Sequence, residues 1–150
     1  MTECVNATRA FLGDEPRWSE VRVILDTVHA LWGGLHVQAS GDCSVTVTTV
    51  PRGGMEQMRT FILDRANWHA LMLLLIECDA VAIDPPNRPG LPDELRPSLV
   101  LVNADGRSVS LSKWVGVADA RFDRVQAAVV ALTQPLDASP PAGTPAFQSN

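Results

Sequence analysis

The sequence is poor in most of the residues that announce a function. Its 150 residues include three cysteines, one lysine and no tyrosine, and aromatics make up 5%. Cys4, Cys43 and Cys78 are far apart and form no C-x-x-C pair, so neither a zinc ribbon nor a dithiol redox motif is present. An apolar leader of the kind export requires is also missing near the N-terminus. The expectation is free thiols in a reducing, cytoplasmic setting, where the Asn6-Ala7-Thr8 sequon carries no weight. Lys113 is the sole lysine, and the arginine bias is that of a GC-rich bacterial genome. Twelve basic residues against 17 acidic ones leave a formal charge of −5, with no basic stretch to neutralise a phosphate backbone; nucleic acid is excluded as a partner. The longest apolar run, Ala70 to Ile76, is far short of the roughly 20 residues that span a bilayer.

What is present is a hydrophobic content of 46%, ample for one core in a chain of this length. Residues 1–19 lack a sustained period and read as an N-terminal arm. Residues 134–150, rich in Pro, Ala and Ser, read as a disordered tail, which leaves a single domain over 20–133. Within it, Trp18 to Trp32 fits two patterns. Trp18, Val21, Leu25, Val28 and Trp32 have helical spacing, whereas Val21 to Leu25 is β-branched like a strand. A strand near 21–27 is preferred, because the hairpins that follow need a partner.

Leu35 to Ala39 and Val45 to Thr49 alternate on either side of Ser40-Gly41-Asp42. A three-residue loop there sets Val37 against Val45 and Leu35 against Val47, leaving His36, Gln38, Thr46 and Thr48 on a wet face. Met58 to Leu63 is a further strand. Asp64 then opens a helix to about Cys78, its carboxylate placed to cap the first turn, with Trp68, Leu71, Met72, Leu75 and Ile76 at core spacing. Asp84 to Pro97 is too proline-rich for a helix or central strand and reads as a stiff, acidic-leaning loop; one short strand between the helix and the last hairpin is left optional. Leu99 to Val102 and Val109 to Val115 flank Asn103-Ala104-Asp105-Gly106, and Asp119 caps a last helix with Phe122, Val125, Val129 and Leu132 on one face. The order defines an α+β fold: a two-layer antiparallel sheet of hairpins with two helices on one face.

Taking Asp105-Gly106 as a two-residue turn sets Val109 opposite Val102 and Leu111 opposite Val100. Leu99, Leu101 and Trp114 then lie on the outer face, and Trp114 falls beside Pro97, gathering Arg96 and Lys113 with the acidic pair Asp93 and Glu94. One reading makes these seven residues an interaction surface, with Arg96 receiving a carboxylate and Trp114 stacking nearby. The other folds the arm, through Phe11 and Leu12, over the leucines, and uses Asp93 or Glu94 to pin the loop by pairing with Arg96 or Lys113.

Candidate chemistry fails on spacing. Cys43 and His36 fall about three residues apart along paired strands, roughly 10 Å, and point to opposite faces. Cys78 and His69 are nine residues apart on one helix, so both thiols read as core fillers. His29, His36 and His69 form no metal-ligand pattern, and Asn103 to Gly106 lacks the remaining ligands of a calcium loop. Gly33-Gly34 and Gly53-Gly54 belong to no phosphate-binding motif. No cofactor, metal or catalytic residue is expected.

Leu31-Trp32-Gly33-Gly34 before a hairpin, Gly90-Leu91-Pro92-Asp93-Glu94-Leu95-Arg96-Pro97, Lys113-Trp114 and Arg121-Phe122-Asp123 resemble a group of small uncharacterised bacterial domains, over about residues 21–133. The Gly53-Gly54 pair between two strands is similar to that of emfourin-type proteins, inhibitors of thermolysin-like metallopeptidases. The arm and two strands ahead of it are additions to that pattern, and no inhibitory residue is carried over. The expected function is a non-catalytic protein-interaction domain that binds a protein partner or a second copy of itself. The alternatives are a metallopeptidase inhibitor, implied by the resemblance, and a small enzyme without a known motif.

Overall fold

The computed structural model describes residues 6–28, 33–51, 55–83, 94, 96–114 and 119–133. Six strands form one antiparallel sheet: β1 (Arg22–Asp26), β2 (Gly34–Ser40), β3 (Ser44–Val50), β4 (Gln57–Ile62), β5 (Ser98–Val102) and β6 (Ser108–Ser112). Their order across the sheet is β4-β3-β2-β1-β5-β6. Helices α1 (Ala7–Leu12), α2 (Arg65–Glu77) and α3 (Ala120–Ala131) are joined by 3-10 turns at Glu15–Glu20 and Ala80–Ala82. The α+β expectation holds, and residues 22–26 are a strand. The optional strand before β5 is not found among the described residues, where the Ala80–Ala82 turn follows α2.

One alternation runs through the whole sheet. Odd-numbered strand residues face the helices: Val23, Leu25, Val37, Ala39, Val45, Val47, Leu99, Leu101 and Leu111 are all buried. Even-numbered ones face outward, including Ile24, His36, Gln38, Thr46, Thr48, Val100 and Ser110. Burying these aliphatic side chains at about 25 cal/mol per Å² is the main favourable term holding the two layers together.

Two hairpin registers differ from expectation, with unlike consequences. In β2–β3, Val37 pairs with Val47 and Ala39 with Val45. The loop closes one residue later than expected, with Cys43 N–H donating to the Ser40 carbonyl (2.8 Å) and Cys43 at φ 72°. Asp42 accepts from the Ser44 amide (2.9 Å) and hydroxyl (2.7 Å), which bridges Cys43 and takes it into the turn. The pairing shifts by two residues, so both strands keep their faces. In β5–β6 the shift is one residue, and it inverts the faces. Asn103 N–H donates to the Arg107 carbonyl (2.9 Å), and Gly106 N–H to the Asn103 carbonyl (3.0 Å). The Asn103 side-chain oxygen accepts from the amides of Asp105 (3.0 Å) and Arg107 (2.9 Å). The turn is therefore three residues, Ala104-Asp105-Gly106, with Gly106 at φ 81° in the left-handed position such loops reserve for glycine. Leu99 faces Leu111, and Leu101 faces Val109.

The N-terminal segment is part of the core, not an arm outside it. Leu12 is fully buried and Trp18 nearly so. Trp18 donates its indole N–H to the Gly13 carbonyl (2.9 Å), while the Trp18 carbonyl receives the indole N–H of Trp68 (3.0 Å). Gly41 lies so close that a Cβ there would meet the Trp18 carbonyl at 2.3 Å, so the β2–β3 turn packs backbone to backbone on this segment. Buried Thr8 gives its amide (3.1 Å) and hydroxyl (2.9 Å) to Asp79, and its hydroxyl accepts from the Val81 amide (3.0 Å). The helix caps divide. Asp119 accepts from the amides of Arg121 and Phe122 (both 3.1 Å), as expected for α3. Asp64 makes no side-chain cap at α2; its carbonyl takes Asn67 N–H instead (2.9 Å).

Removing a fully buried side chain without reshaping its surroundings leaves a cavity, so Leu101→Ala should cost about 2–5 kcal/mol in denaturant unfolding. A loss under about 1 kcal/mol would contradict the inward register. The hydrogen bond from the Ser44 hydroxyl, then that from its amide, holds the Asp42 carboxyl below its ordinary value. The bonded carboxylate thus supports the fold above the ordinary carboxylate range, and that support is lost as pH falls through the depressed value. Ser44→Ala should move the Asp42 titration upward, read by NMR; an unmoved titration would show that the hydroxyl is not the cause.

Candidate interaction surface

The flipped hairpin divides the seven residues expected to form a surface. Leu99 and Leu101 are fully buried against the helices and are excluded from any partner contact. Neither of the alternatives read from the sequence describes them: they face the helical layer as ordinary core. Lys113 continues the inward alternation and pairs with Asp123 of α3 (2.5 Å). Asp93 lies outside the described residues, and Glu94 is half-buried.

Arg96 and Trp114 do meet. The guanidinium lies over the indole, 5.0 Å from its centroid, and its Nε donates to the Ser112 hydroxyl (3.0 Å). The Lys113 amide donates to the Pro97 carbonyl (3.3 Å), extending the β5–β6 ladder to bring them together. A stacked cation already bonded to a hydroxyl is a closure for the end of the sheet more than a free receptor for carboxylate.

A stronger surface lies at the opposite edge. Of the exposed large apolar side chains among the described residues, Met55 (84%), Met58 (70%) and Ile62 (74%) all sit on or beside β4. The sequence signal was available: Met58 and Ile62 occupy outward positions that other strands fill mainly with Thr, Ser, Gln and His. Outward Thr60 lies between them, its hydroxyl 3.4 Å from that of Thr46 on β3. The backbone of β4 is equally available. Leu63 N–H donates to the Cys43 carbonyl (2.6 Å). By alternation, the amides and carbonyls of residues 57, 59 and 61 face β3, while those of Met58, Thr60 and Ile62 point away from it. Among the described residues no strand pairs with this side of β4.

The remaining polar groups among the described residues form separate pairs. His36 on the open face lies 3.5 Å from Asp26, and His69 lies 3.2 Å from Glu15, with its ring 5.2 Å from that of Trp18. The second pair edges a cleft of about 350 Å³ between the Glu15–Glu20 turn and the start of α2, lined also by Arg65 and Trp68. Both indole N–H groups there are used internally, and neither buried thiol, Cys43 or Cys78, lines it. The described residues contain no cluster of His, Cys, Asp and Glu fit to hold a metal, and no helix long and apolar enough to cross a membrane.

No protein-family model matches the chain, and no curated protein matches it. The Gly53-Gly54 pair behind the likeness to metallopeptidase inhibitors lies outside the described residues.

Losing the Arg96 stack removes a cation–π contact worth about 0.5–1 kcal/mol at an exposed site. Arg96→Ala should therefore lower unfolding stability by about that amount; a loss above about 2 kcal/mol would mean that this corner anchors the fold.

Proposed function

We propose that this chain is a small protein-binding module without catalytic activity, which takes its partner along β4 and the outward sheet face beside it. The observation that carries this reading is the concentration of exposed apolar side chains on a strand that, among the described residues, ends the sheet. Soluble proteins commonly blunt such edges with charge, proline or a bulge, because a bare edge recruits other strands. β4 keeps six regular residues with one charged side chain, Arg59, whose position faces the helical side. Strand addition would supply main-chain hydrogen bonds, and the side chains of Met58 and Ile62 would supply selectivity. Methionine suits this role, since its unbranched thioether adapts to the shape it meets. The formal charge of −5 favours a protein over a polyanion as the partner.

The test is a pull-down of tagged chain from its own cells, with mass readout. It compares wild type with Met58→Lys/Ile62→Lys and with Leu73→Lys, a change at an exposed apolar position on α2. The expected result is a specific partner held by wild type and the α2 variant and lost by the β4 variant. A partner held equally by all three would remove β4 from the interface and overturn the reading.

A further inference from the structure

We infer that β4 pairs with β4 of a second copy, antiparallel about a two-fold axis at Thr60, joining two sheets into one of twelve strands. The inference rests on the proposed binding role of β4 and names its occupant.

A two-fold antiparallel junction of two edges keeps both outer faces on the same side, so directly opposed residues must share a face. It must also hydrogen-bond through the residues whose amides and carbonyls point away from β3, which are Met58, Thr60 and Ile62. With Thr60 on the axis, both conditions are met within the strand. Thr60 exchanges hydrogen bonds with its counterpart, and Met58 does so with the second copy's Ile62. These Met58–Ile62 pairs, formed twice, put the two exposed apolar side chains of β4 in contact on the outer face. On the other face Arg59 lies opposite the second copy's Phe61, so no like charges meet there.

Neighbouring registers are worse. Moving the axis to Arg59 sets two guanidinium groups against each other, and like charges opposite one another destabilise a strand pair. Moving it to Phe61 sets Met58 against the second copy's Asp64, where the strand has ended and α2 begins. The pattern of apolar, small and cationic side chains along β4 is thus more complementary to itself with Thr60 on the axis than with either neighbour there. β6 offers no equivalent, since its outward residues are Ser108, Ser110 and Ser112. At the ends of the favoured register Glu56 approaches the second copy's Asp64, and each copy carries −5. Both effects oppose association and are screened by salt, so pairing should tighten as ionic strength rises.

Sedimentation of the full chain as a function of concentration and salt, for wild type and Thr60→Pro, tests this. The Thr60 amide points away from β3, so proline there leaves the β3–β4 ladder intact while removing a donor from each copy at the axis. The expected result is a monomer–dimer equilibrium that strengthens with salt and weakens at least about tenfold in Thr60→Pro. Amide exchange provides the second readout: Met58, Thr60 and Ile62 should gain protection with concentration, while residues 57, 59 and 61 stay protected throughout. Met58→Lys/Ile62→Lys should weaken the dimer without disturbing the inner ladder. A chain monomeric at every concentration, or a dimer indifferent to Thr60→Pro, would overturn the inference. A monomeric chain that still loses a cellular partner with the β4 lysines would sink self-pairing alone and leave the binding role standing.

Discussion

Every helix among the described residues packs on the same side of the sheet, and that asymmetry constrains all else. A sheet covered on one face tolerates only registers in which apolar positions of neighbouring strands meet on that face. Four of the strand pairs obey this rule along their length, and β3–β4 obeys it where Val45 meets Phe61 but sets Val47 against Arg59. The apolar inner surface therefore runs from Phe61 on β4 to Leu111 on β6 and thins at the β4 edge. Local turn chemistry is subordinate to it. Asn103 folds its side chain over two amides and makes the final loop three residues long, which is the length that turns Leu99, Leu101 and Leu111 inward together.

The strands and helices were legible because their periodicities are strong and their punctuation is ordinary: Gly106 for a turn, Asp119 for a cap, prolines after the first long helix. The candidate surface was far less legible, and for one reason. An Asp-Gly pair fits a two-residue turn and also the last two positions of a three-residue turn, and the choice depends on what Asn103 does with its side chain. That one ambiguity moved two leucines from core to surface in the reading. The β2–β3 turn was misjudged by a shift of two, yet His36, Gln38, Thr46 and Thr48 stayed outward because two is the period of the strand.

The N-terminal segment was obscure for a different reason. Short helices have no room for a recognisable period, and α1 is six residues long. Its place is set by isolated long-range bonds, Thr8 to Asp79 and Asn103 to the Phe11 carbonyl (2.9 Å), which leave no trace in local composition. The β4 edge was hidden in another way. Its exposed side chains could be seen as apolar, but that β4 ends the sheet follows only from β1 pairing with β5 on its far side.

That far-side pairing has a consequence for how the chain reaches this state. β1 to β4 form a meander of neighbours, and β5–β6 is a hairpin; each can close through short loops. Among the described strands the seam between Arg22–Asp26 and Ser98–Val102 joins them, and it spans the intervening α2 and the residues on either side of it. Loop-closure entropy makes that seam the costliest contact of the sheet to form, while the contacts that reward it come late. Until it closes, β1 presents a second bare edge whose inward side chains, Val23 and Leu25, are apolar. The seam is therefore the place where the order of folding and the risk of misassembly are decided together.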